Sequence, residues 1–172
     1  MNTFDPGDER LDAFVFEYVN EAGDIVVLGE DDVRSFKYPE DPEGEGDVTG
    51  NDFPLLRYAD ILLSRAEALN ELQGPNLESI NLIKDVRQAA GVNGPELNDF
   101  SVKEDLRDFI LAERGREFHA EALRRQDLIR HGKFITMAQA RGKPTSDYHV
   151  LFPIPLREVS VNENLEQNEG YQ

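Results

Sequence analysis

An apolar stripe in the second half of this chain turns, without a break in spacing, into a row of carboxylates. Val102, Leu106, Phe109 and Ile110 recur at helical spacing and predict a buried helix face. Continued along the same face, the stripe meets Glu113, Glu117 and Glu121. Acids therefore stand where packing calls for core. The surrounding stretch, ILAERGREFHAEALRRQDLIRHGKF at residues 110–134, reads as one long helix. Gly115 lies inside it, weakening it by roughly 1 kcal/mol relative to alanine and admitting another segment close by. The same stretch carries Arg114, Arg116, Arg124, Arg125 and Arg130. A guanidinium is a planar fork suited to bidentate pairing with buried carboxylates. Removing one member of such a pair strands the other, at about 3–5 kcal/mol. The pattern predicts a structural ion-pair network.

Chemistry is the competing reading. Glu113 and Glu117, with His119, could serve a metal-assisted hydrolase, whose side chains would converge on an open pocket with shifted pKa values. A di-metal bundle would use Glu-x-x-His pairs on separate helices, whereas His119 follows Glu117 by two residues. The HExxH pattern of zinc proteases is absent. His119, His131 and His149 are the only histidines, none in zinc-ligand spacing with another, and there is no cysteine. No serine sits in a nucleophile elbow. The sequence thus predicts no catalytic residue, no metal site and no cofactor.

Charge narrows the partners. The formal net charge is −17, which opposes binding to nucleic acid or anionic lipid. Residues 1–52 hold sixteen acids against three bases, Arg10, Arg34 and Lys37. Arginine outnumbers lysine 13 to 5. Excess acid with scarce lysine is the surface of a salt-adapted protein; an acidic protein with a mobile acidic loop is the plainer alternative. The stretch DPEGEGDVTGND places Asp41, Glu43, Glu45, Gly46, Val48 and Asp52 at positions 1, 3, 5, 6, 8 and 12 of an EF-hand-like loop. Glutamates are too long for positions 3 and 5, and Pro39 and Pro42 spoil the preceding helix, so a solvated loop is expected. No apolar run reaches the ~18 residues of a membrane span. The start, MNTFDPGDER, lacks the basic and apolar regions of a secretion signal.

Two regions are expected, 1–52 and 53–172, together forming one compact unit. In the first, Phe14, Phe16 and Tyr18 alternate with Val15 and Val19, NEAGD supplies a turn, and IVVL returns as a hairpin. In the second, a helix is predicted from Pro54, with Leu55, Ala59, Leu62, Ala66 and Leu69 as its stripe. Gly74 is placed for a left-handed cap. Asn76 caps a second helix, whose stripe is Ser79, Leu82, Ile83, Val86 and Ala90, and Gly91 ends it. The two helices should pack antiparallel like one tetratricopeptide unit, with Ala66 and Ser79 allowing close approach. Ser101 and Glu104 are placed for a capping box on the third helix. Pro153 and Pro155 predict an extended tail anchored by Leu151, Phe152 and Ile154. Tyr148 and Tyr38 are the aromatics with least claim to a packed face. The fold class expected is mainly α, with a small hairpin and an extended tail.

Four blocks carry a resemblance. FPLLRYADILLSRAEALNELQG, INLIKDVRQAAGV, the 110–134 stretch and LFPIPLREVSVNENLEQNEGY occur in the order found in the C-terminal part of the SusD/RagB family, over residues 53–171. DERLDAFVF resembles the preceding strand region more weakly. The resemblance implies a non-catalytic, tetratricopeptide-like outer-membrane lipoprotein that captures glycan or another nutrient. Its implied partner is a TonB-dependent transporter of the SusC type, and its implied location is the external face of the outer membrane. Family members run to about three times this length, so an N-terminal half of the same family is a further implied partner. An orphan fragment without independent activity is the remaining alternative. The family tail commonly reads N-P-x-L-x-Q-N-P-G-Y; here Glu163 and Glu169 replace the prolines. No ligand-binding residue carries over. The charged positions that do, Arg57, Asp60, Glu67, Glu113, Arg114, Arg116, Glu117, Arg124, Arg125 and Asp127, are implied to form structural ion pairs.

Overall fold

The computed structural model describes residues 3–29, 32–39, 41–45 and 49–171. Two compact units divide it, Met1–Ala122 and Leu123–Gln172. In the first, the 3-10 turn Glu9–Ala13 leads into strand β1 (Phe14–Val15), followed by β2 (Glu17–Val19), β3 (Ile25–Val27) and β4 (Arg34–Ser35). β2 and β3 form the predicted hairpin, with Tyr18 opposite Val26 and Val19 opposite Ile25. Asn20 builds its turn, the side-chain oxygen accepting from the amides of Ala22 and Asp24. β1 pairs instead with β4, Phe14 opposite Ser35.

Helices α1 (Tyr58–Gln73) and α2 (Leu77–Gln88) pack together, and α1 also packs on α3 (Lys103–Glu117). α1 starts at Tyr58 rather than near Pro54: Arg57 is the N-cap in extended conformation, and Leu55 is 90% exposed. Its buried positions are Leu63, Ala66 and Asn70, so the core stripe is rotated from the one centred on Leu55 and Leu62. Gly74 ends α1 at φ 76°, its amide bonded to the Asn70 carbonyl. Asn76 caps α2, its side-chain oxygen accepting from Ser79 N at 2.9 Å. The close approach lies where the small residues stand. Ser79 Oγ, fully buried, donates to the Ala66 carbonyl at 2.9 Å.

α3 departs from expectation at both ends. Val102, not Ser101, is its N-cap, and no Ser101–Glu104 capping box forms. Glu96 and Asp99 form one instead around the 3-10 turn Leu97–Asp99. The expected long helix stops at Glu117, and Ala120 and Ala122 take φ of 61° each. Left-handed backbone at residues with a Cβ costs roughly 1–2 kcal/mol apiece and demands compensation nearby. Part of that compensation is ionic. Arg57 Nη2 donates to the Glu117 carbonyl at 3.1 Å, and Lys37 Nζ donates to the same oxygen. Two cations thus satisfy a carbonyl that a continuing helix would have used.

The second unit holds α4 (Arg124–Arg130), α5 (Phe134–Ala140), a 3-10 turn at Asp147–Val150 and α6 (Leu156–Val161). His131 caps α4 and Gly132 follows at φ 66°. The tail is not wholly extended: Pro155 serves as the N-cap of α6, a place where its missing amide is no loss. Leu151 and Phe152 are more than half exposed. What holds residues 151–154 is a polar clasp. The Gln167 amide exchanges two 2.8 Å hydrogen bonds with the Ile154 backbone. Asn168 Nδ2 donates to the Phe152 carbonyl, and Tyr171 OH to that of Leu151. Gly170, at φ 85°, lies so close over the Tyr148 ring that a Cβ there would run into it.

Candidate functional site

The carboxylate row of α3 is the centre of a buried charge cluster in the first unit. Among the described residues, Arg10, Lys37, Arg57, Arg87, Arg114 and Arg116 meet Asp5, Asp8, Asp60, Glu113, Glu117 and Glu121. Glu113 has no exposed surface. Its Oε1 accepts from Arg10 Nη1 at 2.8 Å. Its Oε2 accepts from Arg87 Nη1 at 2.7 Å and from Arg116 Nη2 at 2.6 Å. Burial pushes the Glu113 carboxyl up, but Arg116 and Arg10 outweigh it and hold the group below the usual carboxylate range.

Glu117 bridges Arg10 Nη1 at 3.1 Å and Arg57 Nη1 at 2.8 Å. Glu121 lies past the helix end, yet the break returns it to the cluster. It takes the Arg57 fork at 3.0 and 2.7 Å and pairs with Lys37. Burial raises its carboxyl, and bonds from Arg57 and Lys37 reverse the shift to a net lowering. Arg114 Nη1 reaches Asp60 Oδ1 at 2.6 Å. The buried Phe118 ring lies within about 5 Å of both the Arg57 and Arg114 guanidinium carbons, at 5.1 and 5.0 Å. Arg116 also donates to the Thr3 carbonyl at 2.8 Å, tying the N-terminal segment down.

Of the charged positions singled out by resemblance, Arg57, Asp60, Glu113, Arg114, Arg116 and Glu117 are therefore brought together. Glu67 stands half-buried on α1. Arg124, Arg125 and Asp127 belong to the second unit. There Asp127 is buried and pairs with Arg130 at 3.0 Å. Arg125 donates to the carbonyls of His149 and Val150 and lies 3.8 Å from the Phe152 ring centroid. A cavity of about 630 Å³ in this unit is lined by Asp147, Tyr148, Val150, Leu151, Glu169 and Gly170.

Asp5, Asp8, Arg10, Lys37 and Arg87 are the members that sequence reading missed. Two signals pointed to them. Arg10 and Lys37 are two of only three bases in residues 1–52, and both reach the α3 acids. Arg87 falls four residues after Ile83, on the apolar face of α2.

The catalytic alternative finds no support in this geometry. Glu113 and Glu117 are both occupied by guanidinium groups. His119 Nδ1 bonds the Arg116 carbonyl at 2.8 Å, and its ring stacks on Phe14 at 4.5 Å. No group of three His, Cys, Asp or Glu able to hold a metal occurs among the described residues. In the acidic loop, Asp41 turns its carboxylate to backbone, accepting from Gly50 N at 2.7 Å and Glu43 N at 3.0 Å. Gly46 and Val48 of that loop lie outside the described residues. Neither freely placed tyrosine is an open platform. Tyr148 stacks on His149 at 4.2 Å beneath Gly170, and Tyr38 packs at 5.5 Å from Phe53.

The sequence profile of the SusD family matches residues 33–171. SusD-like protein P38 of Formosa agariphila is 35% identical over 147 residues, 83% of this chain and 29% of that protein. The starch-binding protein SusD of Bacteroides thetaiotaomicron is 31% identical over 143 residues, covering 76% of this chain and 24% of its own length. In structure, a SusD homolog from Bacteroides thetaiotaomicron superposes with a TM-score of 0.71 at 25% identity, over 96% of this chain and 41% of that one. NanU of Bacteroides fragilis gives a TM-score of 0.68 at 27% identity, over 99% and 38%. The chain thus spans less than a third of the length of these curated relatives.

Proposed function

The chain belongs to the SusD family, and on that premise we propose that it is a non-catalytic binding component of a nutrient-uptake system, with a glycan as its ligand class. It works with a TonB-dependent transporter of the SusC type at the external face of the outer membrane, and with the remainder of a SusD-like chain. The observation that carries this reading is the occupancy of the acids on and just past α3. Glu113, Glu117 and Glu121 each face two or more cations at hydrogen-bonding range. Carboxylates so neutralised hold segments together and are withdrawn from proton transfer. A relative named for binding starch supports the ligand class. No helix among the described residues is long and apolar enough to cross a membrane.

Affinity electrophoresis through gels containing starch and other polysaccharides, with a reducing-end assay on the same mixtures, tests the proposal. Retardation by at least one glycan without release of reducing ends is the expected result. Hydrolysis abolished by Glu113→Gln or Glu117→Gln would replace it with the metal-assisted hydrolase. Neither retardation nor hydrolysis would leave the chain as a scaffold fragment with no activity of its own.

A further inference from the structure

The N-terminal segment lies over the α3 cluster as a strap. Glu9 N bonds the Ala90 carbonyl at 3.0 Å, Arg10 reaches Glu113 and Glu117, and the Thr3 carbonyl accepts from Arg116. Asp5 also pairs with Arg87, and Phe14–Val15 pairs with β4; a further contact is of a different kind. His119, just past α3, stacks on Phe14 at 4.5 Å and meets Phe4 edge-on at 6.4 Å. The carbonyl of Arg116 accepts from Nδ1, which places the proton on Nδ1 and leaves Nε2 as the bare lone pair. That Nε2 is buried and has no hydrogen-bond partner.

A second proton on this ring would sit on Nε2, with neither solvent nor acceptor to receive it. The charged groups facing the ring from the packed elements are Arg10 of the strap, Lys37 after β4 and Glu117 of α3. Two are positive, and the one negative group already bridges Arg10 and Arg57. We propose that protonation of His119 releases the strap of residues 3–15, making it a pH-responsive cover over the buried α3 carboxylates.

Two acids at the strap contact, Asp8 within it and Glu113 on α3, keep their charge in the same range. Asp8 and Glu113 both lie below their ordinary values, because bonds and charges from arginine outweigh burial. Burial, then the positive charge of Lys37 and Arg10, holds His119 below its ordinary 6.5 in the docked state. Once released, the imidazole recovers that ordinary value. The sign follows directly. Well above pH 6.5 the ring is neutral in both states and docking is at full strength. Below it the released state takes up the proton first, and the equilibrium moves toward release, by at most about tenfold per pH unit.

Hydrogen–deuterium exchange on the whole chain reads this, after correction for intrinsic exchange rates. Between pH 6.5 and 5.5, protection of residues 3–15 is expected to fall, by at most about fivefold, while α2 amides stay unchanged. In His119→Phe, a neutral ring in the same box, that fall should vanish. An NMR titration of wild-type His119 needs no variant and should give a midpoint below 6.5. A His119 midpoint at or above 6.5, or an equal loss of strap protection in wild type and His119→Phe, would overturn the proposal. So would a strap whose protection does not change across this range.

Discussion

Three guanidinium groups converge on Glu113, a side chain with no exposed surface. Replacing it with glutamine keeps the shape and leaves Arg10, Arg87 and Arg116 sharing one fewer negative charge in a dry site. Glu113→Gln should destabilise the first unit by about 3–5 kcal/mol, read as a shift of the urea midpoint. Glu71, which pairs with Arg107 on an exposed face, is the internal control. There the same change should cost under about 1 kcal/mol. Acid gives a second view of the buried acids. Glu113 and Glu121 have native pKa values below their ordinary 4.5. Their contribution is therefore complete above about 4.5 and is lost as the pH falls from there toward the lowered native values. Urea midpoints measured from pH 6 down to 3 should show this loss, and Glu113→Gln should flatten it. At this scale the sequence disclosed the acids, since Glu113, Glu117 and Glu121 visibly occupy a core stripe. It disclosed few of their counter-ions, because Arg10, Lys37 and Arg87 come from other elements and no spacing rule links residues so far apart in the chain.

Among the elements, the α1–α2 pair follows local rules almost throughout. Asn76 caps, Gly74 stops, and Ala66 and Ser79 meet where small residues permit it. Ser79→Ala should remove about 1 kcal/mol by deleting the hydroxyl bond to the Ala66 carbonyl. Ser79→Leu should cost more, about 1–3 kcal/mol or above, because the helices have no room to separate. Circular dichroism melts of the two variants check the ranking. The misread elements share a cause: tertiary contacts overrode local signals. Nothing in EFHAEALRR marks a helix end. The end is made by Arg57 and Lys37 reaching the Glu117 carbonyl, which stabilises left-handed backbone at Ala120 and Ala122. In the second unit, Gln167 imitates a strand neighbour for Ile154. Gln167→Ala should raise amide exchange at residues 151–154 while leaving α4 protected. The extended stretch was legible from its prolines, but the clasp was not, since a side-chain amide standing in for backbone leaves no periodic trace.

For the whole molecule, charge is the governing quantity. A net −17 with sixteen acids before residue 53 predicts strong self-repulsion that counter-ions relieve. We expect the chain to gain stability from low to molar salt, and the β2–β3 hairpin to loosen first when salt is withdrawn. Thermal melts across that range check the first point and amide exchange the second; a flat response would remove the salt-adaptation reading. The family was legible because four blocks kept their order, and three of them coincide with the helices that build the cluster. Ligand identity was not, because this chain covers only 24–29% of its curated relatives. The central claim is that acids and arginines of the first unit neutralise each other to build a scaffold. A double-mutant cycle on unfolding, pairing Glu113→Gln with Arg10→Met, tests it most directly. Two destabilising single changes coupled by about 1–3 kcal/mol are expected. Additive effects with Glu113→Gln neutral or stabilising would contradict it.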